Sequence, residues 1–180
     1  MISGMDSYGI PDHIFGTVDD AFYAAVGRVT MLAALLEERL FDLLSAFHLD
    51  SIDTVGGQPG TKLADEIAKL LPLLPTAAKN ESYSLRGEVA ALLHDAKVVL
   101  GQRHDIVHSI FANPSVQDAH GWRTLPTRKR PTPDQTIRWV SPDQSSFRDI
   151  CSETVRLIDS IGRLLPQVEF EKMRQHSQQQ

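Results

Sequence analysis

One stretch of the chain combines residue types and spacing suited to chemistry: Gly101-Gln-Arg103-His104-Asp-Ile-Val-His108-Ser. On a helical wheel Arg103 falls near the centre of an apolar arc, between the directions of Ala96 and Val99 and close to Val107 and Ile110. Burying an unpaired guanidinium is costly, so an arginine there needs a carboxylate, a phosphate or a wet cavity. His104 and His108 are four residues apart and share one edge of the helix. Arg103 and His108 differ by about 140° around the axis and about 7.5 Å along it, within reach of a long arginine side chain. Gly101 lies one turn before His104 on the same side. An interior glycine costs a helix about 1 kcal/mol against alanine. It is either a tolerated glycine or a place where a partner helix comes close.

The helices that must carry these residues are legible from periodicity. Val18, Phe22, Ala25, Val29, Leu32, Leu36, Leu40, Leu43 and Phe47 recur at steps of three and four, and Val26, Ala33, Phe41 and Leu44 form a flanking strip. A helix apolar over that much of its surface meets more than one neighbour. Thr17 or Asp19 can cap it. The spacing predicts a short helix over Thr61–Leu71, stopped by Pro72 and Pro75. A long one follows from about Ser84 to Ala112, ending at Asn113-Pro114. The last helix carries Ile150, Thr154, Leu157, Ile161, Leu164 and Val168 on one face. It is announced by Ser141-Pro142-Asp143-Gln144, an N-cap with proline at the first helical position. The expectation is an all-α four-helix bundle over residues 17–168, with antiparallel connections. An irregular arm (1–16) precedes it, and a polar, disordered tail (169–180) follows.

Residues 113–141 break the helical rhythm with several prolines and both tryptophans. Trp122-Arg-Thr-Leu and Thr136-Ile-Arg-Trp-Val read as two short strands of a β-hairpin or ordered flap before the last helix. From Trp122 to Arg138 the basic residues Arg123, Arg128, Lys129, Arg130 and Arg138 face only Asp134. Aromatic stacking with phosphate attraction would suit single-stranded RNA. Equally, a solvated loop could be anchored by its tryptophans.

The motif Arg103-His104-Asp-Ile-Val-His108 resembles the HEPN signature: an arginine, a polar residue, a few more, then histidine, on a late helix of a four-helix bundle. The long first helix with Leu-Leu-Glu37-Glu-Arg-Leu is similar to that family as well. The resemblance covers roughly residues 17–168. It implies a metal-independent endoribonuclease, without cofactor, whose two protomers form one composite cleft as a homodimer. It also implies a toxin–antitoxin or phage-defence setting, with an antitoxin partner. By that resemblance Arg103 holds the scissile phosphate and stabilises its developing charge. His108 is general acid or base on the ribose 2′-OH or the leaving oxygen, and His104 orients the cleft or binds phosphate. Products would carry a 2′,3′-cyclic phosphate. Other HEPN domains are non-catalytic dimerisation or RNA-binding modules, which is the alternative. A purely structural role is also open: Arg103 can pair with Glu37, in the second apolar strip of the first helix. Glu37 can equally position Arg103 for function.

Composition sets bounds. The chain has 180 residues, 42% hydrophobic and 23% charged, with a formal net charge of -5, as expected of one ordinary globular domain. That balance argues against a surface coated with positive charge for non-specific nucleic-acid binding. The single cysteine, Cys151, excludes a disulfide within the chain and reads as a small buried hydrophobe. A cytoplasmic setting is expected. No apolar run approaches the roughly 20 residues of a membrane span, and the N-terminal residues lack the pattern of a signal peptide. Gly56-Gly-Gln-Pro-Gly60-Thr-Lys62 lacks the order of a phosphate loop. His94-Asp95 and His104-Asp105 superficially suggest a metal-dependent phosphohydrolase of the HD type. The wheel separates the two histidines by about 80°, and the spacing is short for that family.

Overall fold

The structure, a computed structural model, describes residues 4–5, 8–9, 20–48, 57–75, 84–107, 109–110, 122–124, 139–140 and 144–178. Four helices pack together: α1 (Asp20–Phe47), α2 (Gly60–Leu70, continued by a 3-10 turn over Leu71–Leu73), α3 (Leu85–Val107) and α4 (Gln144–Ser177). The apolar stripes read from the sequence meet in one core. Leu36, Leu40 and Leu43 of α1 are buried, as are Ala64 and Ile67 of α2 and Val89, Ala96 and Val99 of α3. The α4 face adds Leu157, Ile161, Leu164 and Val168. Thr154, on the same face, is buried but satisfied: its hydroxyl donates to the Ile150 carbonyl at 2.6 Å. Among the described helices α1 meets all three others, which explains why it needs two apolar strips rather than one.

Specific contacts set the helix directions. Phe22 and Phe147 meet edge to face, with centroids 5.5 Å apart. Each stands near the start of its helix, so α1 and α4 run the same way. Asp95 of α3 pairs with Arg156 of α4, and Gln102 lies beside Ser146, so α3 runs opposite to α4. Asp65 pairs with Lys97, and Arg86 donates to the Leu74 carbonyl, so α2 and α3 are antiparallel. The expected antiparallel arrangement therefore holds for α2–α3 and α3–α4 but not for the consecutive pair α1–α2. Gly60, the first residue of α2, lies beside Glu37 in the middle of α1.

Three further expectations change. The third helix ends at Val107, and Ser109–Ile110 form a strand rather than a helical turn. Pairing with the next strand replaces a helix that Pro114 was bound to terminate nearby. The sheet is accordingly three-stranded and antiparallel, in the order β1 (Ser109–Ile110), β2 (Trp122–Thr124), β3 (Trp139–Val140). Ile110 stands opposite Arg123, and Arg123 opposite Trp139. β2 and β3 lie in the two segments read as short strands and pair antiparallel, while the residues between them, 125–138, lie outside the described residues. Finally, α4 is the longest helix at 34 residues and passes Val168 to reach Ser177, so most of the segment expected to be a disordered tail is helical. Its residues are polar but good helix formers. Arg174 pairs with Glu171, and Gln175 Nε2 donates to the Leu73 carbonyl at 2.7 Å. The helix also absorbs Pro166, four residues after Gly162. The carbonyl that a proline ring crowds is thus that of an exposed glycine.

No described helix is long and apolar enough to cross a membrane. The caps proposed at Thr17, Asp19 and Ser141–Asp143, like most of the 1–16 arm, lie outside the described residues.

Candidate functional site

Arg103 continues the buried stripe of α3 as the wheel requires. It follows Val99 by one turn and Ala96 by two, both of which are buried. The arginine is half-buried, at a depth where its aliphatic stem extends the core. Its Nε atom is buried and has no hydrogen-bond partner among the described residues. Such an atom forfeits its hydration without compensation, at a cost of about 1–3 kcal/mol. The position near the C-terminus of α3 is electrostatically favourable for a cation, but a helix end does not saturate the guanidinium.

Glu37 does not supply the missing acceptor. Its Oε1 accepts a hydrogen bond from the Gly60 backbone N–H at 3.1 Å. The residue preceding α2 is Pro59, and no side chain from that segment caps the helix. Glu37 therefore caps α2 from a neighbouring helix, placing a carboxylate where free N–H groups and the helix dipole favour one. Among the described residues no ion pair joins it to Arg103.

The other predicted residues distribute as follows. His104 and Gly101 are exposed, and a Cβ at Gly101 would meet nothing within 4 Å. The glycine is thus not required by packing among the described residues. His94 is exposed, as expected. Arg123 stands in the middle of β2, between Ile110 and Trp139. His108, Arg128, Lys129, Arg130 and Arg138 lie outside the described residues.

Two grooves flank the first turns of α4, and sequence reasoning found neither. One, of about 410 Å³, lies between α3 and α4 and is lined by Asp95, Gln102, Asp149 and Glu153 among others. Its carboxylates are partly neutralised by Arg156, which donates to Asp95 Oδ2 and Glu153 Oε2, each at 2.8 Å. The hydrogen bonds from Arg156 hold the Glu153 carboxyl below its usual range, and the same pairing raises the arginine. Asp95, which beside His94 suggested an HD-type site, is thereby committed to an ion pair. Among the described residues no group of three or more His, Cys, Asp or Glu side chains converges.

The second groove, of about 480 Å³, lies between α1 and α4, lined by Ala21, Ala24, Ala25 and Arg28 of one helix and Phe147, Arg148 and Cys151 of the other. Cys151, read as a small buried hydrophobe, is half-buried. Burial pushes its thiol up, against a smaller opposing pull from Arg28. The signal that could have revealed this groove is the run Ala21-x-x-Ala24-Ala25-x-x-Arg28, which puts small residues and one cation on a single helix face.

Comparisons with family models, with curated proteins and with solved structures find no match to this chain. The functional reading therefore rests on the residues themselves.

Proposed function

We propose that the protein is a HEPN-like, metal-independent endoribonuclease that acts on RNA phosphodiesters at a homodimer interface. Arg103 engages the scissile phosphate and His108 transfers the proton. The observation that supports this reading most directly is the buried Arg103 Nε without a hydrogen-bond partner among the described residues. The simplest structural role for Arg103 was neutralisation by Glu37, and among the described residues no ion pair joins the two. A guanidinium held half out of water with donors to spare is prepared for an oxyanion, and phosphate geometry suits its planar fork. An imidazole five residues later has the right range of proton affinity to exchange a proton with a ribose hydroxyl. The setting, by resemblance, is a toxin–antitoxin or phage-defence system.

The decisive experiment incubates the wild-type chain, Arg103→Ala and His108→Ala with mixed RNA in EDTA. EDTA-resistant cleavage by the wild type, reduced at least about 100-fold in each variant, is expected for loss of an essential charge-stabilising or proton-transfer group. A folded dimer that leaves diverse RNAs intact identifies a non-catalytic module instead. Cleavage that requires added metal assigns the chemistry to another mechanism.

A further inference from the structure

The two grooves beside α4 carry opposite charge. Ser146, Asp149 and Glu153 turn toward α3, while Phe147, Arg148 and Cys151 turn toward α1. On the α1 side, Arg28 and Arg148 are exposed, and neither is ion-paired with a described residue. This contrasts with Arg39, Arg156 and Arg174, each of which has a carboxylate partner. In an acidic chain, two arginines that converge on one groove without an ion pair among the described residues are not explained by stability. Arg148 is in fact poorly placed for it, because the first turns of α4 form the positive end of the helix dipole. The parallel run of α1 and α4 puts two such ends on the same side, adding to the positive potential. Between the arginines the floor is alanine, the buried ring of Phe147 and a thiol that burial keeps protonated. Among the described residues that line the groove there is no carboxylate.

We propose that this groove is a backbone site for single-stranded RNA, in which Arg28 and Arg148 each hold a phosphodiester oxygen away from the reacting centre. The assignment to RNA rests on the function proposed above, whereas the preference for an anion rests on the groove itself. Its volume is of the size that admits a small ligand or one nucleotide unit. The same end of the bundle bears Arg103, since Gln102 lies beside Ser146 at the start of α4. A strand laid along the α1–α4 groove would thus leave it near the end of α3 while avoiding the acidic groove on the other side of α4. Arg28 and Arg148 would be positioning residues that set affinity rather than the chemical step.

The test measures fluorescence anisotropy of a labelled, uncleavable 2′-O-methyl RNA oligonucleotide with the full chain. Arg28→Gln and Arg148→Gln are each expected to weaken binding about 3- to 10-fold, and to lower the slope of log affinity against log salt by about 0.7. Arg163→Gln, which removes a charge of the same sign from α4 outside the groove, is expected to leave both unchanged. Cleavage at saturating RNA should persist in the Arg28 and Arg148 variants, with the loss confined to KM. Wild-type cleavage with unaltered RNA affinity in both variants overturns the groove and leaves the nuclease reading intact. Groove-dependent binding without cleavage does the reverse. Dissociation of the homodimer in the two variants, read by sedimentation, would assign the groove to a second copy. Variant-sensitive binding to phosphatidylglycerol vesicles in place of RNA would assign it to a membrane surface. Either outcome overturns the assignment to RNA.

Discussion

Glu37 on α1 caps α2 through the backbone N–H of Gly60, and the same glycine admits the carboxylate because it has no side chain. A Cβ at Gly60 would stand 2.6 Å from Glu37 Cγ and 2.8 Å from Leu100 Cδ1. One small residue therefore seals the junction of three helices. Its dihedral angles are not of the left-handed kind, so alanine is excluded by space and not by backbone strain.

Gly60→Ala should consequently destabilise the fold by about 1–3 kcal/mol, the usual cost of overpacking. That outweighs the small gain in helix propensity at a first-turn position. Glu37→Ala should cost about 1–2 kcal/mol through loss of the cap. In the double variant the two costs should add to less than their sum, because removing Glu37 vacates the space the new methyl group needs. Urea unfolding of the three variants checks this. Full additivity would show that the clash with Leu100 alone decides the cost.

Glu37 caps α2 and does not pair with Arg103, Arg103 Nε is buried without a partner among the described residues, and a trade between stability and function follows. Arg103→Met keeps most of the volume and the aliphatic stem while removing the unsatisfied donor. The variant should be as stable as the wild type or more stable by about 1 kcal/mol, and RNA cleavage should be lost. Denaturant midpoints measured beside cleavage rates decide the matter. A loss of 3 kcal/mol or more, of the size seen on breaking a buried ion pair, would mean that the guanidinium is neutralised within its own protomer after all.

The contrast between Arg103 and Glu37 also marks how far the sequence can be read. The stripes on α1, α3 and α4 were legible because burial on a helix repeats every three or four residues, and most of the described residues so chosen are buried, although Phe22, Ala25, Val26, Leu32 and Phe41 of α1 are only half-buried and Val107 is exposed. The anomaly of Arg103 was legible by the same rule, since a charge on an apolar stripe stands out against its neighbours. The role of Glu37 was not, because capping a helix by a residue 23 positions away leaves no local pattern. The α1–α4 groove escaped for a related reason. Arg28 and Arg148 are unremarkable surface cations until the parallel packing of their helices brings them together. Helix direction itself was misread at α1, because periodicity reports which face is buried and is silent on which way a neighbour runs. The polar end of α4 was misread because polarity was weighed above helix propensity.

The pairing of Arg156 with Glu153 carries a pH dependence of definite sign. The hydrogen bonds from Arg156 lower the Glu153 pKa in the folded chain. A carboxyl depressed on folding stabilises the native state wherever it is ionised, and that contribution disappears as pH falls through the folded-state value. Above about pH 5 the ordinary unfolded carboxyl is ionised too, so the full stabilisation is present there. The side chain of Glu153 is 39% exposed, so solvent screening holds the effect to about 0.5 kcal/mol or less. Glu153→Gln should therefore be slightly less stable than the wild type near neutrality, with the gap closing as the pH drops below about 4. Urea midpoints of the two proteins across that range provide the measurement. A gap that stays constant on acidification would assign the pair's value to geometry rather than charge, and a gap that widens would reverse the inferred direction of the shift.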